Sequence, residues 1–447
     1  MKKTLLALLA VLMVAVVLVA CGGEEKPTVN PDDPTKDVSI YKSKGGFDTI
    51  NDPLSWDAIN EFPVVHDGMT IEEGRKLVVD FFRYCKTAVW IPSEDYEYTI
   101  KSDGDPQYIT GGVKYGGLPY ISVSSGNIYR LLDYIDPETG VGDMKTMGLK
   151  KTLFGNQCSF GSYVGIGRVI NSANYSWTNT MTTKAGFVKV GDYTYDDAVE
   201  VYKDNANGGY NTIVILEDNG VVFDSTGKKA NPTTTEKINK CYAGLKKGDV
   251  IVYWTTAGHV VMISEDAHVE YREDGTIDPE KSYVKVIDQT PGHSTMTNAA
   301  GDEFAYEKNV DAQWTFQALA NGKYVPFTFK EWLGTDPIES SKTEISHSGE
   351  TISLKQIPNI KITSNYGITD AYVSVYNANG VEVYKIAVRS TTTSVKEVKL
   401  ITEGYNVDLW GKKDNLKPGE YEYTVKISAQ LSTGERPVLW EGKLVQE

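Results

Sequence analysis

The sequence predicts an α+β domain that is followed by an all-β domain. Three observations support this fold class. Helical apolar periodicity begins after Thr70, two β-rich runs flank residue 256, and short alternating strand patterns take over from about residue 340. The length suits two domains, and we place them at residues 47–339 and 340–447.

The first 20 residues have the pattern of an export signal. Lys2 and Lys3 precede an apolar run from Leu5 to Ala20, and Cys21 follows directly. A charged start, an apolar stretch and a small residue before a cysteine are typical of a bacterial lipoprotein signal peptide. We therefore expect Cys21 to carry a diacylglycerol that anchors the mature protein to the outside of the cell membrane.

Residues 21–46 lack hydrophobic periodicity. Pro27, Pro31 and Pro34 stand there among acidic, basic and small residues. Such a composition predicts a flexible tether between the lipid anchor and the globular part.

The net charge and the aromatic content indicate which classes of molecule the protein binds. The formal net charge is −15, and no basic patch stands out, which argues against nucleic acid as a partner. The 28 tyrosines and 8 tryptophans suit carbohydrate or peptide surfaces in an exported protein, although many will serve β packing.

The cysteines do not suggest a metal site. Besides Cys21 there are Cys85, Cys158 and Cys241, an odd number that leaves at least one thiol unpaired. Because no CxxC or clustered Cys/His spacing is present, we expect no metal cofactor.

A first helix is predicted after residue 70. Thr70 and Glu73 form a capping box, and the apolar positions that follow share one face, on which Cys85 also falls and should be buried. A short helix is expected over 127–135. The segment between them, from Tyr96 to Tyr120, is rich in glycine and tyrosine and should form a loop that lines a site.

A second helix carries the first candidate catalytic residue. The small and apolar residues from Cys158 to Ile170 predict a tightly packed helix, reached through the turn Gly155-Asn156-Gln157. Cys158 would then lie at a helix N-terminus, where the helix dipole and free amides favour a thiolate.

Two strands carry the other candidates. Val250–Trp254 is followed, across a turn, by a strand that starts near His259, which comes directly after Gly258. A further strand over 283–290 contains Asp288 and Gln289. The residues after 340 predict several short strands, with a hairpin across Asn377–Gly380, and hence a β-sandwich of immunoglobulin or fibronectin type.

A thiol at a helix start, a histidine at a strand start and a polar residue on the next strand make a papain-type arrangement. The histidine would help to ionise the thiol and protonate the departing amine, while the third residue orients the imidazole. The Cys158 backbone amide and a second donor would bind the oxyanion.

The motifs resemble those of NlpC-type and CHAP-type papain-like cysteine hydrolases. The resemblance rests on Cys158-Ser159 followed by a small-residue helix, on Leu-Lys-Lys-Gly-Asp before the strand at Val250, and on Gly258-His259-Val260. It implies cleavage of amide bonds in peptidoglycan, with Cys158 as nucleophile and His259 as general base.

The same resemblance leaves the third member open. Asp288 is preferred, because the CHAP pattern has an acidic residue there; His268 is the NlpC-style candidate, and Gln289 is expected on the opposite face. Tyr115, before a Gly-Gly pair, resembles a tyrosine that contacts substrate or oxyanion, and we expect Gln157 to share this role.

The predicted function is therefore that of a lipid-anchored, extracytoplasmic cysteine hydrolase acting on peptidoglycan or peptides. The alternative is a catalytically inactive surface lipoprotein that binds glycan or peptide through the cleft and the sandwich. A thiol acyltransferase that uses the same residues is a third possibility.

Overall fold

The structure is a computed structural model that describes residues 54–99, 106–121, 126–145, 155–172, 178, 186–194, 211–223, 233–255, 257–290, 293–297, 303–307, 310–389, 395–400 and 406–446. In this part of the chain the helices are short, apart from the second. The α-helices are α1 (Trp56–Asn60), α2 (Ile71–Thr87), α3 (Ile128–Leu132), α4 (Cys158–Ile166), α5 (Thr212–Asp218), α6 (Glu236–Ala243) and α7 (Phe316–Asn321). Short 3₁₀ turns span Glu331–Leu333, Ile357–Asn359 and Lys413–Asn415.

Strands are more numerous than helices and continue to the end of the described chain. They are β1 (Val89–Pro92), β2 (Tyr96–Thr99), β3 (Pro106–Ile109), β4 (Tyr115–Gly116), β5 (Val141–Gly142), β6 (Phe187–Lys189), β7 (Val250–Trp254), β8 (Gly258–His268), β9 (Tyr283–Ile287), β10 (His293–Thr297), β11 (Glu303–Glu307), β12 (Val310–Thr315), β13 (Val325–Phe329), β14 (Thr343–Ile345), β15 (Thr351–Ile352), β16 (Lys361–Ser364), β17 (Ile368–Asn377), β18 (Glu382–Arg389), β19 (Glu397–Lys399), β20 (Asn406–Trp410), β21 (Tyr423–Leu431) and β22 (Val438–Leu444).

The strands are divided among several small sheets. In the N-terminal part, one sheet has the order β10-β11-β4-β1-β5, a second has the order β12-β9-β8-β7-β13-β6, and β2 pairs with β3. The C-terminal β region, which we define as residues 343–444, holds a sheet of order β15-β22-β21-β17-β18-β20 and a smaller sheet of order β14-β16-β19.

The predicted fold class is wrong. The described chain is mostly β, arranged in small sheets, and it shows no papain-like α+β domain. The segment 96–120, expected to be a loop, contains strands β2, β3 and β4 instead; β2 pairs with β3, and β4 pairs with β1 and β11, so that their backbone groups gain partners. The C-terminal β region also departs from an immunoglobulin or fibronectin sandwich, because it pairs six strands in one sheet and three in the other.

Several local predictions are nevertheless confirmed. The capping box of Thr70 and Glu73 starts α2, and Cys85 is buried on that helix. The hairpin of β17 and β18 turns at the predicted Asn377–Gly380. The helix predicted over 127–135 is shorter, as α3, and the strand predicted over 283–290 ends at Ile287.

Helix α4 is held tightly between α2 and β8. A Cβ built on Gly165 would lie 2.7 Å from the Phe82 Cβ and 3.2 Å from the Met262 Cε, so there is no room for a side chain at this position. The predicted close packing of this helix is thereby confirmed, and its glycines allow the approach.

Two hydrophobic clusters form the core of the described chain. One gathers residues from Leu54 to Trp332, together with Tyr366, and the other gathers residues from Ile352 to Leu444. Among the described helices, none is both long and apolar enough to cross a membrane.

The C-terminal β region holds the end of α4. The Tyr366 hydroxyl donates to the Val169 carbonyl at 3.1 Å, and the Lys396 ammonium donates to the Asn171 carbonyl at 3.0 Å. These carbonyls follow the last turn of the helix, where backbone acceptors lack intrahelical partners. The C-terminal β region therefore also holds the segment that follows the helix beginning at Cys158.

A buried cluster of charges joins the two parts. We call Arg130, Asp133, Asp370 and Arg389 the interface charge cluster. Arg130 Nε lies 2.9 Å from Asp370 Oδ1, and Arg389 lies 2.7 Å from Asp133 Oδ2 and 3.4 Å from Asp370 Oδ1. All four side chains are at most 2% exposed. Burial opposes ionisation of Asp133, but the positive charges of Arg389, Lys385 and Arg436 outweigh it and lower the pKa of that carboxyl.

Candidate active site

Helix α4 begins at Cys158. Gln157 is the residue before the helix, in an extended conformation, and Cys158 is the first helical residue, as predicted. The amides of a first helical turn point out of the helix without intrahelical acceptors, so they are available to a negative charge. The start of α4 can therefore favour both a thiolate and an oxyanion.

The turn before α4 is fixed to the glycine- and tyrosine-rich segment. The Asn156 amide donates to the Pro119 carbonyl at 3.1 Å, and the Ile121 amide donates to the Asn156 carbonyl at 3.0 Å. Gly155 has φ +81°, which a glycine adopts without strain. This anchoring explains how a segment about 35 residues upstream comes to border the Cys158 turn.

The imidazole and the carboxylate meet through the register of two neighbouring strands. β8 and β9 are antiparallel, and Met262 lies opposite Ile287, which places His259 and Asp288 near the same strand ends and on the same side. His259 Nε2 lies 2.6 Å from Asp288 Oδ1. The His259 side chain is 14% exposed and that of Asp288 is 3% exposed, so the pair is shielded but reachable from solvent.

Cys158 completes the array. Its side chain lies close enough to the His259 ring to act on the pKa of the imidazole. Burial of the ring disfavours the imidazolium, but the negative charges of Asp288 and Cys158, together with the hydrogen bond to Asp288, outweigh it and raise the pKa of His259 to about 10. This raised pKa favours the imidazolium form of His259 beside Asp288 and Cys158.

This raised pKa predicts how stability depends on pH. An unfolded histidine has a pKa of about 6.5. Since the folded pKa is higher, the stabilisation should be complete below about pH 6.5 and should be lost as the pH rises to about 10. We expect the difference in unfolding free energy between wild type and His259→Gln to shrink over this range in urea titrations. The same comparison in an Asp288→Asn background should vary less with pH, and a constant wild-type difference would contradict the assignment.

Two tyrosines that the sequence reading missed lie at the site. Tyr253 is the cross-strand partner of His259, with their ring centroids 6.3 Å apart, and the Tyr324 ring packs edge-on against Tyr253 at 5.3 Å. Burial and the nearby charges of Cys158 and Asp288 raise the pKa of both hydroxyls, which stay neutral donors. The hairpin register could have identified Tyr253, whereas no sequence signal pointed to Tyr324.

Gly258 allows two neighbouring side chains to approach the backbone directly before His259. A side chain on residue 258 would overlap Trp254 and Thr178. Just before Cys158, the Oδ1 of buried Asn156 lacks a hydrogen-bond partner among the described residues, and the sequence reading missed this group as well. Both features belong to the immediate surroundings of the thiol–imidazole pair.

Tyr115 and Gln157, the two residues predicted to contact substrate or oxyanion, lie in different surroundings. Gln157 is buried directly before Cys158. Tyr115 lies in β4, its ring packs near Trp90, and its hydroxyl accepts from the Thr110 amide at 3.0 Å. The roles proposed for Tyr115 and Gln157 stay predictions.

His268 and Gln289, the alternatives to Asp288 as the residue that orients His259, contact other groups. His268 lies nine residues along β8 from His259, at about 3.3 Å per residue, and its Nε2 contacts Glu270 at 2.8 Å. Gln289 receives a hydrogen bond from buried Lys86 and donates to the carbonyls of Leu118 and Asn156, each at 3.3 Å. Asp288 is thus the group that contacts His259, while Gln289 contacts the backbone of the Cys158 turn.

The other two described thiols, those of Cys85 and Cys241, are buried as Cys158 is. Cys85, Cys158 and Cys241 are free and buried, and burial raises the pKa of the Cys85 and Cys241 thiols.

Within the described ranges, no group of three or more His, Cys, Asp or Glu side chains could hold a metal ion. The predicted signal peptide, Cys21 and the tether lie outside the described residues.

The comparisons with known proteins leave the family open. No protein-family model matches the sequence, and a search of curated proteins found no match.

Proposed function

We propose that the protein is a cysteine hydrolase that cleaves amide bonds, with Cys158 as nucleophile, His259 as acid and base, and Asp288 as the residue that orients the imidazole. The observation that carries this proposal is the hydrogen-bonded pair of His259 and Asp288 beside Cys158, the first residue of α4. A thiol, an imidazole and an orienting carboxylate in this order are the groups that nucleophilic acyl transfer needs.

The proposed reaction has two steps. The Cys158 thiolate attacks the carbonyl carbon, the C–N bond breaks, and the His259 imidazolium gives its proton to the departing amine, which leaves a thioester. Water then attacks the thioester, His259 takes a proton from that water, and the C–S bond breaks to release the acid and restore the thiolate and imidazolium. Amides of the first turn of α4 are placed to stabilise the oxyanion in each step.

Peptidoglycan peptides are the proposed substrates. The motif resemblance to NlpC-type and CHAP-type hydrolases favours them, and a lipid anchor at Cys21 would hold the protein outside the cell membrane, beside the wall. The tyrosine rings at the site and the acidic net charge suit a peptide with free amino groups better than an anionic polymer.

The second candidate, a binding lipoprotein without activity, has one observation in its favour. An open groove lies on the C-terminal β region, away from Cys158. This groove is compatible with hydrolysis as well, so we retain binding alone as the outcome to be expected if the array proves unreactive.

Peptide release and thiol reactivity test the proposal together. The mature protein is incubated with purified muropeptides, and mass spectrometry should detect the two fragments that result from hydrolysis of one amide bond. In parallel, iodoacetamide should modify Cys158 much faster than Cys85 or Cys241, because only Cys158 has an imidazole partner. Equal alkylation of the three thiols, without amide cleavage, would overturn the hydrolase and leave the binding lipoprotein.

A further inference from the structure

The C-terminal β region contains an open groove that the proposed reaction does not use. We call it the distal groove, and its cavity of about 800 Å³ is bordered by the β17–β18 turn, the segment before β21 and the end of β22. A second cavity of about 550 Å³ shares Asn377, Ala378 and Tyr421–Tyr423 with it. The two cavities therefore share residues at this end of the sheet, and the distal groove itself is a solvent-open depression.

Aromatic rings line this depression in two different ways. Tyr421 is 62% exposed, so its ring is presented to solvent. The Tyr376 ring is held in place, because Lys426 lies 5.7 Å from its centroid and pairs with Glu441 at 3.2 Å. One ring is thus free to receive a ligand face, while the other is fixed in the wall.

The groove is lined by acidic, basic and neutral polar side chains, and together they carry little net charge. Three carboxylates, from Glu420, Glu422 and Glu441, face two ammonium groups, from Lys426 and Lys443, and the amides of Asn377 and Gln446 complete the lining. An anionic polymer would need a cationic surface, and an apolar helix would need an apolar stripe. Aromatic faces beside carboxylates and amides instead suit a ligand with apolar C–H faces and many hydroxyl groups.

The groove also lies at a fixed distance from the catalytic part of the molecule. β17 begins at the interface, where Asp370 pairs with Arg130, and ends at Asn377 in the groove. At about 3.3 Å per residue, this strand places the groove roughly 25 Å from that interface. A polymer bound there would be held while another part of it reaches Cys158.

We propose that the distal groove binds a neutral glycan chain, with the Tyr421 ring stacked on a sugar face. The choice of a wall glycan, to which the proposed peptide substrates are attached, rests on the proposed function, whereas the glycan chemistry rests on the groove itself. The groove would keep the protein on the polymer between cleavage events.

Binding is measured by calorimetry with the mature chain and soluble N-acetylglucosamine oligomers, and by co-sedimentation with peptide-free wall glycan. Tyr421→Ala should weaken binding at least about tenfold, as expected when an aromatic contact is lost. Tyr271→Ala is the matched control, because Tyr271 is 66% exposed but lies in the N-terminal part; it should bind like wild type. Tyr421→Ala should still cleave small soluble muropeptides at the wild-type rate.

The two proposals can fail separately. Glycan binding by Cys158→Ala without any amide cleavage by wild type would overturn only the hydrolase. Wild-type cleavage with no glycan binding, or with binding unchanged in Tyr421→Ala, would overturn the groove. Binding of wall peptides alone, lost in Tyr421→Ala, would show a peptide site and would equally contradict the glycan proposal.

Discussion

Cys158→Ala and His259→Ala should each lower kcat for amide cleavage by about 10⁴-fold or more. The thiol supplies the electron pair that forms the thioester, and the imidazole supplies the proton that the amine needs in order to leave. Because both groups act in the same step, the double variant should be no slower than either single variant. Initial rates on muropeptides, followed by mass spectrometry, measure this non-additivity.

The chain offers matched controls for this experiment. His268→Ala removes another histidine from the same strand β8, one that is exposed and paired with Glu270. Cys241→Ala removes another buried thiol. Both should retain activity within a few-fold of wild type. A fully active Cys158→Ala variant, or a His268→Ala variant as slow as His259→Ala, would contradict the proposed array.

Asp370→Ala should destabilise the protein by about 3–5 kcal/mol, which is the usual cost of removing one partner from a buried ion pair. Asp370 is 0% exposed, and its loss would leave Arg130 without its carboxylate and Arg389 with one fewer. Because those arginines are buried, water cannot take the place of the lost carboxylate. Urea unfolding at neutral pH measures the change in free energy.

A surface ion pair in the same region serves as the comparison. Glu397 contacts Lys361 at 2.6 Å, but the two side chains are 51% and 41% exposed. Glu397→Ala should therefore cost less than about 1 kcal/mol, since water screens and replaces the pair. If Asp370→Ala cost no more than Glu397→Ala, the interface charge cluster would not join the two parts as described.

The elements that the sequence predicted well are those encoded by neighbouring residues. The Thr70–Glu73 capping box and the β-rich runs at Val250 and Val260 depend on local propensity, and both appear in the structure. Together with the turn before Cys158 and the resemblance to NlpC-type and CHAP-type hydrolases, they led to three side chains that the structure brings together.

The sheet architecture could not be predicted in this way. β4 pairs with β1 and with β11, which is almost 190 residues further along the chain, and no local pattern encodes such a partner. Tyr324 reaches the site through packing on Tyr253, and the interface charges pair across 240 residues. The expected papain-like α+β arrangement therefore failed where short strands gained stability from distant partners.

The support at the end of α4 links catalysis to the order of folding. Val169 receives its hydrogen bond from Tyr366, 197 residues later, and Asn171 receives its own from Lys396, 225 residues later. Cys158 is synthesised long before these partners, and such non-local contacts form slowly. The segment after α4 would therefore gain its full support only once the C-terminal β region has been made, so the proposed hydrolase would become active only after the whole chain has folded.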